Sequence, residues 1–260
     1  MRSVEPANVG PTPGLIHRVA DFWTRNVNAE RIMGREVTEH ERGSEAYFVD
    51  LETQRYRSHR HLPDWIGSMQ PGSHVLEVGC GVGLDSMRMA RHGLRVTAVD
   101  LTAVGPATAQ LRAISRGVDA DYVCANAEQL PFPDSRFDYV YSFGVMHHAP
   151  DTQRCIDEAR RVLKPGGQAL IMLYHRHSLN EFAHRLLRVP FEERDELCPI
   201  VRRFTIGEVR KMFAQFIHVD VHPDFVFGEG YGRLFRWMPQ WLYRWLSRRI
   251  GWHLMIRATR

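Results

Sequence analysis

The chain has 260 residues, of which 44% are hydrophobic and 25% charged, the balance of an ordinary folded protein. That length suits one large domain, or one domain with an elaborated edge. No apolar run approaches the roughly 18 to 20 residues of a membrane span, and Glu5, Asn8, Pro11, Pro13, His17 and Asp21 interrupt any signal-like apolar core near the start. Cys80, Cys124, Cys155 and Cys198 stand far apart without a Cys-x-x-Cys pair, which argues against a zinc knuckle or a disulfide framework. A soluble, reduced, cytoplasmic protein is the expectation.

The net charge of +4 is small and unevenly placed. Residues 229–260 hold seven arginines (Arg233, Arg236, Arg244, Arg248, Arg249, Arg257 and Arg260) against the single acid Glu229. Lys164 and Lys211 are the only lysines, so the arginine excess reads first as a coding bias. A nucleic-acid binder would carry its excess over the main face of the domain.

In chain order, residues 1–13 are rich in Pro and Gly and are expected to fray. Residues 14–34 read as a helix around Leu15, Val19, Phe22 and Trp23, and 43–68 as a longer one. The pattern then alternates. Strands are expected over His74–Val78, Arg95–Val99, Asp121–Cys124, Phe137–Ser142 and Gln168–Leu173, with helices over Leu84–His92, Val104–Arg116 and Thr152–Leu163 between them. Lys164-Pro165-Gly166-Gly167 is a helix terminator. A helix over Ile206–Phe213, a strand over Phe216–Val221, a helix over 238–250 and a last strand over Trp252–Ala258 complete the reading. Such alternation means a largely parallel sheet covered by helices on both faces.

The most informative stretch is Val75-Leu-Glu-Val-Gly-Cys-Gly-Val-Gly-Leu-Asp85, in which an apolar strand runs through Gly79, Gly81 and Gly83 into a helix. Glycines are needed where a chain turns sharply and a ligand approaches the backbone. In the nicotinamide-binding spacing G-x-G-x-x-G the third glycine would fall on Leu84, so a dehydrogenase is disfavoured. Glu77, two residues ahead of the first glycine, suits a ligand bearing an ammonium group and would repel a pyrophosphate.

With these features the stretch resembles motif I of the class I S-adenosylmethionine-dependent methyltransferases. Asp100 closes the second strand, where the resemblance makes it a ribose partner; the alternative is an Asp that caps the following helix near Thr102. Cys124-Ala-Asn-Ala-Glu-Gln-Leu-Pro-Phe132 resembles the family segment G-D-A-E-x-L-P-F, with Asn126 where the family has an acid. Phe137-Asp-Tyr-Val-Tyr-Ser-Phe-Gly-Val-Met-His-His-Ala-Pro-Asp151 resembles F-D-x-V-x-S-x-x-V-L-H-H-x-x-D, and Arg160-Arg-Val-Leu-Lys-Pro-Gly-Gly167 resembles R-V-L-K-P-G-G. The likeness is to the small-molecule branch that includes the ubiquinone and menaquinone C-methyltransferases.

The resemblance implies a Rossmann-like α/β fold of seven strands, the last antiparallel and lying between strands five and six, with added N-terminal helices. It divides the chain into an N-terminal helical cap (1–70) and a donor-binding domain (71–260) with substrate-side inserts near 176–203 and 225–250. S-adenosylmethionine would be framed by Glu77, Gly79, Cys80, Gly81, Gly83, Asp100, Leu101, Asn126, Ala127, Glu128, Phe143, Gly144 and His148.

Candidates for a general base are His147 and His148 after the fourth strand, and Tyr174 and His175 after the fifth, although each also has an ordinary packing role open to it. Adjacent histidines diverge and make a poor metal pair, so no metal is expected. Ser142-Phe-Gly-Val145 stands where base-modifying enzymes carry an Asn/Asp-Pro-Pro-aromatic motif, which disfavours a nucleic-acid substrate.

Trp23, Tyr47, Tyr56 and Arg57 are candidates to cover the donor or line the acceptor pocket; an aromatic stripe at helical spacing is also ordinary core. In 238–250, Met238, Trp241, Leu242, Trp245, Leu246 and Ile250 share one face. That face would pack on the sheet, form an oligomer contact, or lie on a membrane surface. The functional expectation is O- or C-methylation of a small, partly apolar acceptor. Two other readings stay open: a donor-binding protein without transfer, and a non-methyl reaction of the donor such as intramolecular cyclisation.

Overall fold

The computed structural model describes residues 14–27, 30–32, 35–187, 198–228 and 232–260. Residues 1–13 and part of each expected insert (188–197 and 229–231) lie outside the described residues. Helix α1 (Leu15–Arg25) is followed by a two-stranded ribbon, β1 (Arg31–Ile32) and β2 (Arg35–Glu36), then by α2 (Glu45–Ser58) and α3 (Leu62–Gly67). The main alternation runs β3 (His74–Val78), α4 (Leu84–Arg91), β4 (Arg95–Asp100), α5 (Val104–Ser115), β5 (Ala120–Cys124), β6 (Phe137–Phe143), a 3₁₀ turn (Met146–His148), α6 (Thr152–Val162) and β7 (Leu163–Tyr174). The chain closes with α7 (Leu179–Leu187), α8 (Ile206–Met212), β8 (His218–Asp224), α9 (Arg233–Trp237), α10 (Gln240–Ile250) and β9 (His253–Thr259).

The seven-stranded sheet has the order β5-β4-β3-β6-β7-β9-β8. All neighbours pair in parallel except β9, which runs antiparallel to both β7 and β8. The reversed last strand thus sits where the resemblance implied.

Strand alternation partitions the core. Leu76, Val78, Ile171, Leu173, Leu254 and Ile256 pack on one face, while Val75, Tyr141, Leu170, Met172 and Met255 pack on the other. Helices cover both faces, so the central strands β3 and β7 bury consecutive apolar residues rather than alternating. Because β3 lies between β4 and β6, the chain reverses its direction of winding there. The carboxyl ends of β3 and β6 therefore open a crevice in which sheets of this kind bind ligands.

Several boundaries differ from the sequence reading. The helix expected over 14–34 stops at Arg25, where the Asn26 side chain and backbone both donate to the Phe22 carbonyl (3.0 and 2.9 Å). The helix expected over 43–68 is two helices. Pro63 lacks the amide that would continue the ladder back to His59, and it is tolerated only in the first turn of α3. Strand β7 begins at Leu163, not Gln168, because Leu163 already pairs with Phe137; the Pro-Gly-Gly segment bulges before Tyr139 pairs with Gln168.

The apolar face expected on 238–250 is corrected as well. Tyr243 and Ser247 are the buried positions of α10, with Leu246 and Ile250 against the Phe227–Phe235 cluster, whereas Trp241 and Trp245 stand in solvent. The Tyr243 hydroxyl donates to the Phe227 carbonyl at 2.9 Å and Ser247 Oγ accepts from the Val226 amide, which fix the helix about that face.

Candidate functional site

The glycine loop is held by backbone bonds to the next strand and packed closely against the Val145 side chain. Gly79 (φ +83°) and Cys80 both donate to the Val99 carbonyl at the end of β4. A Cβ on Gly79 would stand 2.1 Å from Val145, whereas a Cβ on Gly81 (φ +49°) would meet nothing within 4 Å. Gly79 is therefore a packing requirement, and Gly81 faces open volume. That volume is a cavity of about 1100 Å³, mouth included. It is lined from the loops after four parallel strands: Glu77 to Val82 after β3, Asp100 to Thr102 after β4, Ala125 to Ala127 after β5, and Phe143 to Val145 with His148 and Ala149 after β6. Helix α1 and its end contribute Ile16, Val19, Trp23 and Val27 from above.

Asp100 is fixed by its own turn at the cavity wall. One carboxylate oxygen accepts from the Gly81 amide (2.9 Å), the other from the amide and hydroxyl of Thr102, and the residue lines the cavity. The turn thus holds the carboxylate in place while leaving it acceptor capacity. Asn126 lines the cavity too, and its Oδ1 accepts from the Glu128 amide at 2.9 Å. Glu128 itself lies off the cavity: its carboxylate accepts from the Asp151 amide, and Asp151 caps α6 by accepting from Arg154.

Glu77 is buried and accepts from the Ser86 hydroxyl. Burial, reinforced by the nearby Asp85 charge, pushes its carboxyl well above the usual range. Asp85 behaves oppositely. Burial works against its ionisation, yet the Arg55 guanidinium and bonds from Tyr141 and Tyr56 hold it below the ordinary value. One carboxylate at the cavity is therefore compensated by a cation and the other is not.

The four base candidates separate sharply. His148 lines the cavity, donates through Nδ1 to the Ile200 carbonyl (2.7 Å) and meets the Trp23 ring edge-on at 4.9 Å. With Nδ1 protonated, Nε2 is the basic nitrogen of that ring. His147 is fully buried, neither ring nitrogen has a hydrogen-bond partner, and burial lowers its pKa well below the ordinary value. Tyr174 is sandwiched between His147 (3.8 Å) and Trp252 (4.3 Å), and His175 is bonded to the Gly251 carbonyl. These three do not line the cavity.

Of the cap candidates, Trp23 lines it. Tyr47 is buried and donates to Glu30, Tyr56 bonds Asp85 and the Leu84 carbonyl, and Arg57 is exposed.

Sequence reasoning did not single out Arg55, Asp85 or the ring column behind Phe143. In that column His59, Phe225 and His253 stack at 4.4–5.5 Å, and Phe143 abuts His253 at 5.1 Å. Burial lowers the His59 and His61 pKa values to about 3, so these rings are neutral. Their contacts join residues about 190 positions apart in the chain (His61 and His253, for example), which no local pattern reports. Among the described residues no group of three or more His, Cys, Asp or Glu is arranged to hold a metal.

Residues 76–171 match the family model described as a methyltransferase domain. The chain is 36% identical over 106 residues to a ubiquinone biosynthesis O-methyltransferase of Coxiella burnetii, covering 41% of this chain and 45% of that one. It is 31% identical over 161 residues to the enzyme of the same description from Erwinia tasmaniensis, covering 59% and 66%. The match to the 27-O-demethylrifamycin SV methyltransferase of Amycolatopsis mediterranei is 34% over 128 residues, 47% of each chain. The matches thus span from about half to just under two thirds of the length of these curated relatives.

Among solved structures, the 4+2 cyclase SpnF superposes with a TM-score of 0.59 at 18% identity, over 100% of this chain and 99% of that one. An S-adenosylmethionine-dependent methyltransferase from Thermotoga maritima superposes at 0.58 with 19% identity, over 82% and 96%. These likenesses carry the fold. The motifs, the matched segment and the strand order agree, and residues 76–171 form a methyltransferase domain of the class I S-adenosylmethionine-dependent type.

Proposed function

We propose that this chain transfers the methyl group of S-adenosylmethionine to a small, partly apolar organic acceptor, with oxygen as the favoured nucleophile and carbon as the alternative. The observation that carries the reading is the cavity at the winding reversal, which gathers Glu77, Gly81, Asp100 and Asn126 from three successive strand ends. A nucleoside joined to an amino acid fits that set. Glu77, buried without a cation of its own, suits an ammonium; Arg55 suits a carboxylate; Asp100 suits ribose hydroxyls; and Asn126 suits a base edge. The open side of Gly81 admits close backbone approach. Relatives described as O-methyltransferases support the preference for oxygen.

When bound, the sulfonium supplies an activated methyl group. The chain's own part is then to hold the acceptor in line and exclude water, which is worth up to roughly 7–11 kcal/mol. Trp23 with Val19 and Val27 forms the apolar wall over the cavity, and the described helices of the 1–70 segment serve as the cap of the donor-binding unit. His148, through Nε2, is the residue suited to take a proton from the nucleophile.

A second reading is donor binding without transfer; a protein described as a cyclase shares the fold, so the fold by itself does not require methyl transfer. Calorimetry with S-adenosylhomocysteine, followed by incubation with methyl-labelled donor and hydroxylated aromatic acceptors, tests both. Binding with label transferred supports the first reading; tight binding with the label retained on the donor supports the second. Absence of binding sinks both.

A further inference from the structure

Outside the cavity, the most unusual surface is the outer side of α9 and α10. Trp237 at the end of α9 and Trp241 and Trp245, one turn apart on α10, are 81%, 72% and 51% exposed. Leu234, one turn before Trp237, is exposed as well. Indoles normally bury most of their large area, so three in solvent on one short segment require an explanation.

Fraying does not supply one. The opposite side of these helices is anchored, with Phe235 and Tyr243 in a buried cluster, Tyr243 bonded to Phe227, and the Arg60 guanidinium 4.0 Å over Phe235 while bonding Gln240. The indoles are held outward by a packed inner face.

Around them stand Arg233, Arg236, Arg244, Arg248 and Arg249, all exposed, and no acidic residue occurs between 232 and 260. None of the five forms an ion pair with a carboxylate among the described residues, and Arg249 lies 4.5 Å over the Trp245 ring. Indoles at the level of the headgroups with arginines among them is the composition of a segment lying in a bilayer interface. A second copy of this chain is a poor occupant, because a two-fold contact would oppose five arginines with five.

We propose that the α9–α10 face docks this protein on the surface of an anionic lipid bilayer, with Trp237, Trp241 and Trp245 inserted among the headgroups and the flanking arginines on lipid phosphates. The docking is peripheral: no helix among the described residues is long and apolar enough to cross a membrane. It is independent of the methyl-transfer reading.

The test is co-sedimentation of the full chain with vesicles of pure phosphatidylcholine and of an equimolar mixture with phosphatidylglycerol. The chain is expected to sediment with the anionic vesicles, to release as salt rises, and to stay largely in solution with the neutral ones. The triple variant Trp237→Ser, Trp241→Ser, Trp245→Ser is expected to lose binding. Arg244→Gln with Arg248→Gln is expected to weaken it about 25-fold, roughly fivefold per arginine. As a check needing no variant, indole emission of the unaltered chain should shift to the blue and be quenched by brominated anionic lipid. Failure of the unaltered chain to sediment, or no quenching, overturns the proposal. So does equal sedimentation of the tryptophan variant, or binding to single-stranded oligonucleotide with none to vesicles.

Discussion

Arg55 on α2 reaches across to Asp85 at the start of α4 and holds both of its carboxylate oxygens, with Nε to Oδ1 at 2.7 Å. The pair ties the N-terminal helices to the helix that leaves the glycine loop, at the edge of the cavity both residues line. Tyr56 and Tyr141 donate to the same carboxylate, so every face of the charge is answered. Removing one partner of such a buried pair strands the other, which costs about 3–5 kcal/mol. Arg55→Ala and Asp85→Asn should each lower the urea midpoint by a corresponding amount. The double variant should lose less than the sum, since the two share one interaction.

Acid should act through the same carboxylate. The folded pKa of Asp85 is depressed, so its contribution is present above the unfolded pKa, near 4, and disappears as pH falls through the folded value. Urea unfolding at a series of pH values should show this loss for the native chain and a shallower slope for Asp85→Asn; identical slopes would remove Asp85 from the account.

Glu77 has the opposite sign. Its folded pKa is raised, so above the unfolded value its charge weakens the empty fold. Glu77→Gln keeps a partner for Ser86 and should raise the melting temperature by about 2–4 °C per kcal/mol recovered, while abolishing binding of S-adenosylhomocysteine in calorimetry. Binding an ammonium requires the carboxylate. Affinity for the native chain should therefore climb as pH rises toward the raised pKa, with proton release detectable as a dependence on buffer ionisation heat.

Two glycine substitutions should separate packing from binding. Gly79→Ala places a methyl 2.1 Å from Val145 in a left-handed backbone and should impair folding. Gly81→Ala meets no protein atom, so its stability cost should be only about 1–2 kcal/mol for the left-handed φ. Its methyl enters the cavity, and affinity for S-adenosylhomocysteine should fall while the fold persists.

The adjacent histidines should respond oppositely as well. His148→Ala should lower the methyl-transfer rate constant by about 10²- to 10⁴-fold with little change in donor affinity. His147→Phe removes two buried nitrogens that have no partner and keeps a flat ring against Tyr174. It should leave transfer unchanged and stabilise the chain by about 1 kcal/mol. A comparable loss of transfer in both variants would argue against His148 as the base.

What the sequence determined by itself is local. Apolar strands running into Gly79-Cys80-Gly81, an acid closing the next strand, and the helices between them are set by residues a few positions apart, where steric and hydrogen-bonding preferences act directly. The sheet order followed from a resemblance carried by those same segments. Only the tertiary structure decided which of His147 and His148 faces the cavity, because one residue of displacement in a 3₁₀ turn swings the ring from the cavity wall into the core. It also decided the Arg55–Asp85 pair, the stack of His59 on Phe225 and His253, and the exposed side of α10. In α10 the helical period marks one apolar face that includes Trp241 and Trp245, and the surfaces at Phe227, Phe235 and Arg60 instead turn the helix so that Tyr243 and Ser247 are buried. Contacts between distant segments depend on how packed surfaces meet, and no sequence window contains both partners.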